Sequence, residues 1–112
     1  MKLLIVGTRG ILNFDLSPYV TSDVDTIISG GSSGIDTLAE QYADAHALSK
    51  YIIRPQYKIY GRFAPLKRNE IMVDMTDAVL AIWDGTSRGT KYTINYAKRI
   101  NKPVTVVVID IA

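Results

Sequence analysis

Short runs of consecutive apolar residues alternate along this chain with stretches in which apolar residues recur every three or four positions. The runs LLIV (3–6), DTIIS (25–29), YIIR (51–54), AVLAIW (78–83) and VTVVVI (104–109) read as strands. An unbroken apolar run is what a strand buried on both faces requires. Between them, Ile35, Leu38, Ala39, Tyr42 and Ala43 share one helical face. So do Ile71, Met72 and Met75 in the third interval, and Ile94, Ala97 and Ile100 in the fourth. The first interval, NFDLSPYV, is weakly patterned, and Pro18 allows only a short helix there.

Strands alternating with helices predict one α/β domain over 1–112, with no linker, repeat or low-complexity tract. The expected fold is Rossmann-like and doubly wound, a mostly parallel five-stranded sheet with helices on both faces. Ligands of such sheets bind beyond the carboxyl ends of the strands, where the strand order reverses. Glycine-rich junctions follow the first strand (GTRG), the second (GGSSG) and the fourth (DGTSRGT). The order 3-2-1-4-5 gathers these three junctions into one crevice, whereas 2-1-3-4-5 separates the first from the last. The former is therefore the predicted order.

Composition narrows the chemistry. The chain has no cysteine and one histidine, which excludes disulfides, thiolate sites and multi-histidine zinc sites. No apolar stretch approaches a membrane span, and Gly7, Thr8 and Arg9 end the opening run MKLLIVG too early for a secretory segment. A cytoplasmic protein without a membrane partner is expected. The net charge of +2 is unevenly spread. Asp15, Asp23, Asp25, Asp36, Glu40 and Asp44 face only Lys2 and Arg9 in the first 44 residues. Residues 45–69 hold Lys50, Arg54, Lys58, Arg62, Lys67 and Arg68 with no acid, interleaved with Tyr51, Tyr57, Tyr60 and Phe63. That segment reads either as a solvated basic face or as a surface for an anion or an unstacked base.

The junction ISGGSSGID carries the sharpest signal. Gly30 and Gly31 can take positive φ, Gly34 lets a helix start close to the sheet, and Ser32 and Ser33 offer hydroxyls and caps. The free N–H groups of a first helical turn attract an anion. A capped turn without ligand is the plainer alternative. Neither G-x-G-x-x-G nor G-x-x-x-x-G-K-[ST] occurs, so ordinary dinucleotide binding and P-loop hydrolysis are disfavoured, and no metal or cofactor is called for.

SGGSSGID with AEQYA, then PLKRNEIMVDMTDAVLAI, then DGTSRGTKYTINYAKRINKPV, together resemble the SLOG superfamily of Rossmann-like domains. That group includes bacterial DNA-processing proteins and the Lonely-Guy phosphoribohydrolases, and the likeness is greatest to the small stand-alone YspA-like branch. It runs from Ile5 to Val106 and implies a nucleotide-related or nucleic-acid ligand. By position, Gly30, Gly31, Ser32, Ser33, Gly34 and Asp36 match the first phosphate loop of the family. Arg68 and Asn69 match its RN pair at the start of the third helix, with Arg68 suited to phosphate. Gly85, Ser87, Gly89 and Thr90 match the second phosphate loop. Thr93 stands where the phosphoribohydrolases carry a glutamate, and a threonine has no carboxylate to serve glycosidic cleavage.

The expected ligand site therefore comprises Gly7, Thr8 and Arg9, residues 30–34 with Asp36, Arg68 with Asn69, and Asp84 and Gly85 with Ser87, Gly89 and Thr90. Asp36 and Asp84 are the only acids placed to act as catalysts, and each has a plain alternative: Asp36 complements a helix dipole, and Asp84 closes a turn. His46 reads as packing, and Trp83 as core or rim. The resulting expectation is a sensor-like domain that binds a nucleotide-derived phosphate ligand. A hydrolase of N-glycosidic or phosphate bonds and a single-stranded nucleic-acid binder are the alternatives, and self-association is left open.

Overall fold

The computed structural model describes residues 1–110; the last two residues of the predicted 1–112 domain lie outside it. Five strands, β1 (Lys2–Gly7), β2 (Thr26–Ser29), β3 (Ser49–Ile52), β4 (Ala78–Trp83) and β5 (Val104–Val108), form one sheet in the order β3-β2-β1-β4-β5. Every pairing is parallel, so the predicted order holds and the sheet is wholly rather than mostly parallel. The helices are α1 (Ile35–Ala45), the short α2 (Tyr57–Tyr60), α3 (Ala64–Met75) and α4 (Arg88–Arg99). Single 3-10 turns cover Ser17–Tyr19, where Pro18 allowed only a short helix, and Gly61–Phe63.

Strand side chains alternate between faces, and this splits each apolar run into two cores. Leu3 and Ile5 of β1, Ile27, Leu80 and Ile82 pack under α1 with Ile35, Ala39 and Ala43. Leu4 and Val6, with Ile28, Val79 and Ala81, pack under α3 and α4 with Met72, Val73, Ile94 and Ala97. Only the inner strands match the expectation of burial on both faces. β3 and β5 are the sheet edges, and Ser49, Lys50 and Tyr51 are exposed.

Two local expectations shift. The third strand starts two residues earlier than its apolar run, because pairing with β2 sets Thr26 opposite Ser49 and Ser29 opposite Ile52. On α3, Val73 rather than Ile71 joins Met72 in the core, and Ile71 is 39% exposed. α3 and α4 are also zipped together by hydrogen bonds one turn apart. Tyr92 donates to Glu70, and Tyr96 Oη donates to Asp74 Oδ1 at 2.7 Å. No helix among the described residues is long and apolar enough to cross a membrane.

Candidate functional site

The strand order reverses between β1 and β4, and a crevice of about 360 Å³ opens there. Its walls come from the segment after β1, the start of α1, the first half of α3 and the start of α4. Of the predicted residues, Gly7, Thr8, Arg9, Ser32, Asp36, Arg68, Asn69, Ser87, Gly89 and Thr90 line it. Three helices thus direct their amino ends at one space. No side chain caps the first turn of α1, α3 or α4. Such turns present N–H groups without intrahelical partners.

Arg68 organises this space. It is buried, and its Nη1 donates to the carbonyls of Gly30 at 2.6 Å and Ile53 at 3.3 Å. Its Nε donates to Asn69 Oδ1 at 2.7 Å. The guanidinium therefore clasps the carboxyl ends of β2 and β3. No fully buried side-chain nitrogen or oxygen among the described residues lacks a partner. Nη2 bonds to none of them and is not fully buried, and Arg68 lines the crevice. Burial lowers the Arg68 pKa, and the carboxyl of Asp36 works against that shift.

Asp36 is the acid of the crevice. It is 8% exposed, and its Oδ2 accepts the Ser32 N–H at 3.0 Å. Burial raises its pKa above the ordinary carboxylate range, against the opposing effects of that hydrogen bond and of Arg68. A raised folded-state pKa means the native chain binds the proton more tightly than the unfolded chain. The contribution of Asp36 to stability is then greatest below about pH 4 and is lost as the pH rises through its folded-state pKa. Asp36→Asn, which keeps an oxygen for Ser32, is expected to gain stability over the parent progressively from pH 4 to pH 7. Melting temperatures of both chains across that range test this; a constant difference would mean that Asp36 does not titrate there.

Other predicted residues serve the framework. Gly34 has φ +73°, and a Cβ there would lie 2.3 Å from the Arg9 carbonyl oxygen and 2.7 Å from that of Thr8. The close approach that this glycine permits is therefore to the chain's own backbone. Gly30 sits under the Arg68 guanidinium and Asp36, and Gly31 (φ +77°) under Arg54 and Ile52. Ser33 is exposed and lines a separate, smaller hollow with Leu12, Thr37, Leu38 and Gln41. Asp84 Oδ1 accepts the N–H groups of Thr86 at 2.9 Å and Ser87 at 2.8 Å, which hold its pKa below the ordinary range. It closes its own turn, at Gly85, and neither residue lines the crevice. Thr8 Oγ1 accepts the Asp84 N–H at 3.1 Å, tying the loops after β1 and β4 together.

Thr93 also lines the crevice, but its hydroxyl donates to the Gly89 carbonyl at 3.0 Å, within its own helix. His46 is exposed and packs on the Tyr42 ring with centroids 3.9 Å apart. Trp83 stands half-buried at the rim, and its Nε1 donates to the Ser87 carbonyl at 3.0 Å. Val6, Gly10, Pro65, Leu66 and Met72 complete the walls and were not predicted as site residues. Pro65 was discoverable, since proline near a helix start marks the end that opens onto the crevice. No group of three or more metal-ligating side chains occurs among the described residues.

The fold and the crevice define a doubly wound α/β domain with a polar, cation-bearing cleft at its topological switch point. The chain is similar to an uncharacterized SPbeta prophage-derived protein, YoqJ, of Bacillus subtilis (strain 168), at 35% identity over 65 residues. That match covers 55% of this chain and 37% of the relative, so the chain corresponds to well under half of that protein. No family model matches the chain, and no solved structure does.

Proposed function

We propose that the crevice binds a nucleotide-derived phosphate ligand and that the domain is a SLOG-type binding module, suited to sensing such a molecule. The observation that carries this reading is the unbonded Nη2 edge of a buried arginine, set in the same crevice as the uncapped first turns of α3 and α4. A guanidinium held rigidly by two backbone carbonyls is pre-oriented for phosphate, and helix amino ends supply further N–H donors. Arg9, exposed at the rim, adds a second cation. The volume lies within the range of small-molecule sites. Asp36 offers the one carboxyl in the crevice, placed to meet ligand hydroxyls.

Phosphoribohydrolase activity is not part of this reading. The hydroxyl of Thr93 is committed to its own helix, and no carboxylate occupies that position. Thermal unfolding with nucleoside monophosphates, cyclic nucleotides and ADP-ribose derivatives, each paired with the unphosphorylated nucleoside, tests the proposal. A ligand present at 100 times its Kd contributes about 2.7 kcal/mol, a shift of several degrees for a domain of this size. The phosphorylated member of at least one pair is expected to raise the melting temperature, with no free base released. No shift from any phosphate, or base release at enzymatic rates, would overturn it.

A second reading has its own observation. Tyr57 and Phe63 are 59% and 54% exposed, and Arg62 lies 4.9 Å over the Phe63 ring. Exposed rings among bases suit an unstacked single strand. A steep fall of affinity with salt would favour it.

A further inference from the structure

Two opposite charges meet in the crevice without pairing. Arg68 Nη1 and Asp36 Oδ2 lie 2.7 and 3.0 Å from a single point, the place a Cβ on Gly30 would occupy. No salt bridge among the described residues joins them. Each atom is engaged by backbone instead. Nη1 is spent on the Gly30 and Ile53 carbonyls, and Oδ2 on the Ser32 N–H. One polar atom remains unbonded on each side chain. Nη2 and Oδ1 bond to none of the described residues, and neither is fully buried. Both side chains line the crevice.

A ligand group taken by Arg68 therefore meets Asp36 as well, and the two make opposite demands. Nη2 requires an acceptor. An ionised Oδ1 only accepts, so it requires a donor and repels a bare anion. The group that satisfies both is an anion that keeps a proton. Inorganic phosphate holds at least one proton at neutral pH, and a terminal phosphate ester has its second pKa at about 6. Sulfate has the same tetrahedral shape and holds none, and a phosphodiester holds none either. The surroundings of Asp36 are finely opposed. Burial and Glu40, one turn along α1, favour a proton there; the Ser32 N–H, Arg68 on α3 and Arg9 after β1 favour the charge. Glu40 is itself occupied by the Ser29 hydroxyl at 3.0 Å. From α4 the crevice receives Gly89, Thr90 and Thr93, none of which titrates.

Building on the phosphate reading of the crevice, we infer that Asp36 makes it selective for a phosphate that carries a proton, so that the ligand presents a free or terminal phosphate and not a diester. The P–OH donates to Asp36 Oδ1 while an unprotonated phosphate oxygen accepts from Arg68 Nη2. A site built around a donated hydrogen bond rejects a ligand of like shape that cannot donate. Sulfate enters only where Asp36 itself holds the proton. Discrimination is therefore greatest at neutral pH and narrows toward acid. Asp36→Asn keeps an oxygen for the Ser32 N–H and offers its NH2 to the anion, which removes the demand for a proton.

Titration with inorganic phosphate and with sulfate at constant ionic strength tests this. The backbone amide NMR shifts of Ser32 and Thr90 report the crevice itself and not the general effect of these salts on stability. At about pH 7 the parent should bind phosphate at least about tenfold more tightly than sulfate. The ratio should shrink toward about pH 5, and Asp36→Asn should bind the two anions alike. A nucleoside monophosphate and a cyclic nucleotide, compared at about pH 6, identify the source of the phosphate. The monophosphate should exceed both the cyclic form and inorganic phosphate; a monophosphate equal to inorganic phosphate would assign the same selectivity to the free anion. Phosphate no tighter than sulfate in the parent, a preference that survives in Asp36→Asn, or a cyclic nucleotide as tight as the monophosphate would overturn the inference and leave the phosphate reading in place. Failure of every phosphate to move these amides would overturn both.

Discussion

Gly34→Val is expected to unfold the domain rather than only empty its crevice. At φ +73° an L-residue is strained, at a cost of about 1–3 kcal/mol. The new Cβ would also lie 2.3 Å from the Arg9 carbonyl oxygen, which is backbone and has little room to move. Overpacking of this kind adds about 1–3 kcal/mol or more. The total approaches 4–5 kcal/mol, roughly the whole stability of a marginal domain. Gly34→Ala shares most of the loss, because the colliding atom is Cβ itself. Urea titration measures it directly. Gly89 is the informative contrast. It lines the crevice, nothing lies within 4 Å of a Cβ built there, and it sits in the first turn of α4. Gly89→Ala should leave stability within about 1 kcal/mol of the parent and weaken any ligand that approaches the α4 backbone. A folded, unperturbed Gly34→Val chain would show that the loops after β1 and β2 do not pack as described.

Arg68→Ala should lose both stability and affinity. Its guanidinium is buried and makes the clasp to Gly30 and Ile53, and removing it leaves two carbonyls without that donor and Asp36 with only Arg9 as a cation acting on it. Breaking such an arrangement costs about 3 kcal/mol. On the proposed function, loss of the Nη2 contact to phosphate also weakens binding by roughly ten- to a hundredfold. Lys50, Lys58 and Arg62 are exposed, and their alanine variants should each change stability by no more than about 0.5 kcal/mol. Affinity for the best nucleotide, measured for all four variants at two salt concentrations and at a temperature where Arg68→Ala is folded, separates the readings. A loss concentrated at Arg68 supports a small ligand in the crevice. Equal losses at all four positions, each lowering the salt slope by a similar step, would point to single-stranded nucleic acid instead.

The two predictions share a cause that the glycine-rich junction concealed. Ser32 and Asp36 of that junction line the crevice, but Gly30, Gly31 and Gly34 are required by neighbouring parts of the chain: the guanidinium of Arg68, that of Arg54, and the carbonyl of Arg9. A glycine signals that something must come close. It does not say what. The segment after β4 behaves differently, since Ser87, Gly89 and Thr90, which the resemblance matched to a phosphate loop, line the crevice, while Asp84 and Gly85 close the turn before them.

What the sequence determined by itself was the alternation of strands and helices, the strand order and the location of the crevice. Those features rest on local periodicity and on the rule that a doubly wound sheet opens where its order reverses. Boundaries were less legible where pairing overrides propensity, as when β2 draws Ser49 and Lys50 into β3 ahead of the apolar run. Only the tertiary structure decided that Arg68 is a clasp as well as a crevice residue. Its partners lie 38 and 15 residues away in the chain, and no local pattern records such a bond. The same holds for Asp36, whose pKa is set by burial beneath groups from other elements. Periodicity reports which face of an element is dry; which groups then meet across that face depends on how the elements are packed.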